Sequence, residues 1–195
     1  MGPHLDLNQE ATILAVTTMA RNPKKLEFAR SEATAFAPAT VANVAVGFDV
    51  LGFALDGIGD RVRVAVTDGA AGAVSVGSVT GVVTDLPTDP QRNTASVAVA
   101  RWLETLDLEV GLRVDLEKGI PLGSGMGGSA ASAVGAVVAA NGLLVEPMPV
   151  EQLLPFALEG EAAASGAAHA DNAAACLLGG MIAVVSTHPL RVVEL

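Results

Sequence analysis

Gly119-Ile-Pro-Leu-Gly-Ser-Gly-Met-Gly-Gly-Ser-Ala-Ala-Ser132 is a glycine-rich turn that runs directly into a stretch of small residues with helical character. Glycines at Gly123, Gly125, Gly127 and Gly128 let the backbone take positive φ and remove the side chains that would block close approach. Successive N–H groups can then converge on anionic oxygens. A helix is predicted from Gly128 or Ser129 onward, and its unpaired N–H groups and positive dipole end add to such a site.

Three phosphate-loop readings compete for this stretch. A Walker loop needs Lys and Ser or Thr after its last glycine, and Gly128-Ser129-Ala130 has no lysine. The dinucleotide fingerprint G-x-G-x-x-G is formally matched by Gly123, Gly125 and Gly128. In a Rossmann unit, however, the glycines directly follow the first strand and an acidic residue closes the next one. Here Pro121 separates the strand-like residues 112–116 from the glycines, the loop lies in mid-chain, and the helix to Asn141 leads into residues 143–149, which read as a turn. The third reading is a loop that cradles the phosphates of ATP by backbone alone, leaving Ser129 to bind a metal ion.

Working outward, Arg61-Val-Arg-Val-Ala-Val66 alternates and reads as a strand, with Gly57 and Gly59 marking a turn before it. Residues 69–85 suggest one or two further strands. Helices are predicted over 94–106, 129–141, 150–164 (interrupted or begun near Pro155) and 171–178, with strands at 112–116 and, closing the chain, 180–186. Strands first, then helices with strands between them, give an α+β fold.

The chain has 195 residues, enough for one domain with a substantial core. Aromatics are only 3 % of it, so that core must be built from Ala, Val and Leu. The single cysteine, Cys176, excludes an internal disulfide and a zinc set, and its apolar setting points to a buried thiol. A net charge of -10 argues against nucleic acid as a partner. No segment reads as a membrane span or a secretory signal, which leaves a cytoplasmic protein as the expectation. Residues 1–33 read as a leader, disordered or preceding a later start at Met19.

The pattern Pro-x-Gly-x-Gly-x-Gly-x-Ser-Ala-Ala-Ser resembles the second motif of the GHMP kinases. Two further segments, in the same order as in that family, resemble its homoserine kinase branch: Ala37-Pro-Ala-Thr-Val-Ala-Asn-Val-Ala-Val-Gly-Phe-Asp-Val-Leu-Gly52 and Ser165-Gly-Ala-Ala-His-Ala-Asp-Asn172. The resemblance covers most of residues 34–195. It implies the GHMP kinase amino-terminal domain, a fold similar to ribosomal protein S5 domain 2, and transfer of the ATP γ-phosphate to the side-chain hydroxyl of L-homoserine. The alternatives are another small-alcohol kinase of the family and an inactive nucleotide-binding fragment. The family pattern often has two serines before Ala-Ala, where this chain has Gly128 and Ser129. It also continues into a second, carboxy-terminal domain, which is expected to be missing here because the sequence stops at Leu195.

The resemblance also distributes roles. Pro121, Leu122, Gly123, Ser124, Gly125, Met126, Gly127, Gly128, Ser129 and Ala130 would hold ATP, with Asn93 near the adenine. Ser129 and Glu161 would bind Mg2+, and Asn43, Asp49, His169 and Asn172 would hold the substrate. Asn172 and Glu161 are the catalytic candidates. A homodimer is a further expectation from the family. The chemistry of these residue types is consistent with such roles. Magnesium takes hard oxygen ligands, an amino-acid acceptor needs groups for an ammonium and a carboxylate, and phosphoryl transfer asks mainly for positioning and charge neutralisation. A general base is not evident, because the Asn172 amide cannot take a proton. Blander roles stand beside these: Asn43 as a helix cap, Asp49 as a turn residue, Asn93 and Asp171 as N-caps, His169 as a structural histidine, and Glu161 as a solvated helix carboxylate like Glu159.

Overall fold

A computed structural model describes residues 14–15, 27–44 and 46–195. The described strands are β1 (Leu14–Ala15), β2 (Glu32–Val44), β3 (Gly47–Thr67), β4 (Val74–Gly81), β5 (Gly111–Lys118), β6 (Met181–Thr187) and β7 (Leu190–Glu194). The helices are α1 (Thr94–Leu106), α2 (Gly128–Asn141), α3 (Leu154–Ser165), entered through a 3-10 turn at Val150–Leu153, and α4 (Ala170–Leu178). The fold is α+β, as the order of elements in the sequence predicts.

β3 organises the sheet. It pairs along its length with β2 and, on its other side, with β5 through Arg61–Thr67 and with β6 through Leu51–Phe53, all antiparallel. β4 joins β5 in parallel after the α1 crossover, and β7 and β1 extend the sheet beyond β6. Along β3, Val62 and Val64 are fully buried while Arg61 is exposed, so the alternation turns one face to the helices. That face packs Ala37, Ala39, Val62, Val64, Leu112, Val114 and Leu116 against α1, α2 and α4 in a single core around Trp102.

Small residues bring α2 hard down on the sheet. A Cβ added at Gly135 would lie 2.7 Å from Val62 Cγ2 and 3.2 Å from Ala37 Cβ, so only glycine fits this crossing. This is how a chain with few aromatics fills its core: the layers approach closely instead of interposing large side chains.

Three details depart from the sequence reading. Gly57 and Gly59 do not mark a turn. β3 runs through them, the register passing from Pro38↔Gly59 to Thr40↔Ala54, so that residues 55–58 stand against Ala39 alone. The positive φ of Gly57 is absorbed as a bulge rather than a chain reversal. The strand at 181–187 is not the last, because β7 folds back on it. Most of the proposed leader lies outside the described residues, but its end belongs to the fold: Ala29 N donates to Leu143 O at 2.7 Å, and Val145 N to Glu27 O at 2.8 Å. Phe28, packed on the core, anchors this segment by its apolar surface. Among the described residues no helix is long and apolar enough to cross a membrane.

Candidate phosphate-binding and acceptor site

The glycine-rich loop connects β5 to α2. Gly123, Gly125 and Gly127 have φ of 71°, 72° and 65°, values that a side chain rarely adopts. A Cβ at Gly123 or Gly125 would meet nothing within 4 Å, so packing does not demand glycine there and the loop presents open backbone. Pro121, Leu122, Gly123, Ser124 and Gly125 are exposed, and Met126, Gly127, Gly128 and Ser129 are half-buried as the loop enters the helix. Gly127 is the N-cap of α2 and makes no side-chain cap bond, which leaves the first-turn N–H groups of Gly128, Ser129 and Ala130 without a capping side chain. Open glycines leading into an uncapped helix N-terminus fit a phosphate group.

Below the loop lies a buried polar clamp that the sequence reading missed. Lys118, 5 % exposed, pairs with the fully buried Asp60 and donates to Gly128 O at 2.9 Å and Ser132 Oγ at 2.8 Å. Asp60 Oδ1 accepts from the N–H groups of Gly119 (3.0 Å) and Ile120 (3.2 Å). Both ends of the loop are therefore fastened to one ion pair whose members are satisfied by further hydrogen bonds, the condition under which a buried pair is tolerated.

Glu161 on α3 is 2 % exposed, unlike Glu159 two residues earlier, whose half-exposed side chain pairs with Arg101 at 3.2 Å. The solvated reading of Glu161 is thus wrong, because the two glutamates lie on different faces of one helix. Ser129 Oγ donates to Glu161 Oε1 at 3.3 Å, and His169 N donates to Oε2 at 3.0 Å; His169 Nδ1 stands 3.4 Å from Oε1. Burial pushes the Glu161 carboxyl above the ordinary range, against the opposing pull of His169 and Ser129. A carboxylate and a hydroxyl are hard oxygen donors that fit magnesium. Among the described residues no group of three or more His, Cys, Asp or Glu could hold a metal ion, so an ion here would draw its remaining ligands from phosphate oxygens and water.

His169 is the N-cap of α4, with an exposed ring, so Asp171 is not the cap. Asp171 lies within the first turn, 2 % exposed; its Oδ1 accepts from Asn172 N at 2.9 Å, while its buried Oδ2 has no partner among the described residues. Asn172 Oδ1 accepts from Thr40 Oγ1 at 2.7 Å. Thr40, on β2, is fully buried and also donates its backbone N–H to Met126 O at 3.1 Å.

The structure therefore brings together the phosphate loop, Ser129, Glu161, His169 and Asn172, with Thr40 as an unforeseen link. Asn43 and Asp49 meet one another near the end of the β2–β3 hairpin. Both have positive φ, and Asp49 N donates to Asn43 Oδ1 at 2.8 Å, so Asn43 caps no helix. Asn43 is three residues along β2 from Thr40, roughly 10 Å at the rise of a strand. Asn93 is committed to α1: its Oδ1 accepts from Ala95 N (3.1 Å) and Ser96 N (3.4 Å), its Nδ2 donates to Pro87 O (2.9 Å), and the residue is 3 % exposed.

Comparison with known proteins agrees with this geometry. Residues 93–180 match the GHMP kinases N terminal domain. The homoserine kinase of Xanthomonas campestris pv. campestris (strain B100) is 51 % identical over 151 residues, 77 % of this chain and 46 % of that protein. The homoserine kinase of Chloroherpeton thalassium is 46 % identical over 172 residues, 84 % of this chain and 54 % of that one. The chain thus spans about half the length of the curated relatives it matches. The crystal structure of homoserine kinase from Cytophaga hutchinsonii superposes with a TM-score of 0.81 at 50 % identity, over 88 % of this chain and 54 % of that one. A mevalonate kinase from L. major shares the fold at a TM-score of 0.65 and 16 % identity, over 86 % and 53 % of the two chains. The chain carries the N-terminal domain of the GHMP kinases.

Proposed function

We propose that this chain is the ATP-binding part of a homoserine kinase, which transfers the γ-phosphate of ATP to the side-chain hydroxyl of L-homoserine and gives O-phospho-L-homoserine. The observation that carries the choice of substrate is the roughly one-half identity to homoserine kinases over about four-fifths of the chain. The convergence of the α2 N-terminus, Ser129, Glu161 and Asn172 supports phosphoryl transfer.

The residues divide the work as follows. The loop from Pro121 to Gly127 and the first-turn N–H groups of α2 hold the phosphate chain by backbone donors, and the Lys118–Asp60 clamp keeps those donors in place before the nucleotide arrives. Ser129 and Glu161 hold magnesium, which when bound neutralises phosphate charge. Asn172 orients the acceptor hydroxyl without taking its proton, since a neutral amide is not a base. His169 adds a donor on the same side, while Asn43 and Asp49, near the end of the hairpin, receive the amino-acid end of the acceptor. The same reading makes the protein cytoplasmic and homodimeric.

Phosphorus NMR of the 195-residue chain with magnesium ATP tests this, with L-homoserine and L-threonine as parallel acceptors. A new phosphomonoester with L-homoserine alone is expected. Product with neither acceptor, together with a rise in melting temperature on adding ATP, would instead mark a nucleotide-binding fragment.

A further inference from the structure

We propose that Thr40 is a positioning residue that ties the acceptor side of the site to the phosphate side. Its hydroxyl fixes the side-chain amide of Asn172, and its backbone N–H holds the phosphate loop at Met126. The proposal rests on the kinase reading above.

Three elements meet at this point. Thr40 comes from β2, Asn172 from the first turn of α4, and Gly127 from the end of the loop. The contact is tight: a Cβ on Gly127 would lie 2.1 Å from Thr40 Oγ1 and 2.9 Å from Asn172 Oδ1. At 2.7 Å, the Thr40–Asn172 bond lies at the usual length for a hydroxyl donor, and the fully buried threonine has no solvent to compete for its proton. A hydroxyl carries one hydrogen, so donating it to Oδ1 decides which way the Asn172 amide faces. The Nδ2 group is then turned toward Asp171 Oδ1, at 3.5 Å, which uses one of its two hydrogens and leaves the other for a ligand. The same Asp171 Oδ1 also accepts from Asn172 N, which ties the residue to it twice. If the amide works by orientation alone, the group that orients it governs the reaction. Thr40 is itself pinned to the loop that holds the phosphates, its backbone N–H donating to Met126 O.

Thr40→Val keeps the shape and strand preference of threonine and removes the hydroxyl; Thr40→Ser keeps the hydroxyl. Both are compared in the full chain with Asn172→Ala and with the Thr40→Val/Asn172→Ala double variant. The first readout is the 15N–1H correlation of the Asn172 side-chain amide, identified by its loss in Asn172→Ala. Thr40→Val is expected to move or broaden this signal and Thr40→Ser to restore it. In turnover with L-homoserine, Thr40→Val should lower kcat by about 10- to 100-fold, the scale of a small misplacement of a reacting group, with little change in KM for ATP. The loss should largely disappear when Asn172 is already alanine. An unmoved amide signal in Thr40→Val, or losses that multiply in the double variant, would overturn the proposal. If the parent chain phosphorylates no homoserine, it is the nucleotide-binding fragment named above, and the amide spectrum still decides whether Thr40 sets Asn172.

Discussion

Replacing Gly127 by alanine probes the junction of the loop, β2 and α4, and Gly125→Ala serves as its control. Both glycines have positive φ, so both substitutions carry the cost of a left-handed alanine, about 1–2 kcal/mol. Stiffening of the unfolded chain offsets roughly 0.4–1 kcal/mol of that. The surroundings differ. At Gly125 the new methyl meets nothing within 4 Å, whereas at Gly127 it falls 2.1 Å from Thr40 Oγ1, far inside ordinary van der Waals contact. Relieving such an overlap by shifting packed elements costs about 1–3 kcal/mol more. Gly125→Ala should therefore cost at most about 1.6 kcal/mol and Gly127→Ala roughly 1–4.6 kcal/mol, a drop in melting temperature on the order of 10 °C for a chain of this size. Urea unfolding monitored by far-ultraviolet circular dichroism measures both. Thr40→Ala should recover part of the loss in the Gly127→Ala background, because it removes the atom in the way. Equal losses at the two glycines, or no recovery, would refute the packing described at this junction.

Other predictions follow from the buried charges and the cap. Because burial raises the Glu161 carboxyl above its unfolded value, the folded state holds the proton longer, and stability should fall as pH rises from the ordinary carboxylate range through the raised folded value. Without divalent cation, Glu161→Gln should melt higher than the parent at neutral pH and no higher in acid; added magnesium should stabilise the parent more than the variant. Lys118→Met alone should cost about 3–5 kcal/mol in urea unfolding by stranding Asp60, and Lys118→Met with Asp60→Asn markedly less. Asn93→Ala should cost about 1 kcal/mol as a lost cap. If the cap is its whole role, ATP affinity measured by calorimetry stays constant; a large loss of affinity in a stable variant would show an adenine contact.

The parts of the fold legible in the sequence were those with a local signal. α1 follows from apolar spacing after Pro90, α2 and β5 from the glycines that bound them, and α3 begins at the proline-marked break. β2 and the first half of β3 are not legible because residues 37–52 are rich in Ala, Gly and Val with no clean alternation and residues 44–47 carry no Asn-Gly or Gly-Gly turn pair, while Asn43 and Asp49, in left-handed conformations, lie within the strands beside a register shift. The glycine loop announced a phosphate site on chemical grounds alone, whereas Glu161 and Asn172 were singled out only through the resemblance. Nothing local distinguishes Glu161 from Glu159; their difference is which side of α3 faces the core. Asp60, Lys118 and Thr40 are not legible because the pairs Asp60–Lys118 and Thr40–Asn172 join positions 58 and 132 residues apart, and such pairing exists only once the sheet has formed.

Amide chemical shifts report most directly on whether the α2 N-terminus holds nucleotide phosphates. In 15N-labelled protein titrated with magnesium ATP, the account predicts the largest shifts at the backbone N–H groups of Gly123, Gly125 and Gly127 through Ala130, with magnesium moving Ser129 beyond the effect of ATP alone. Saturable binding with these amides unmoved and the shifts gathered elsewhere would contradict it.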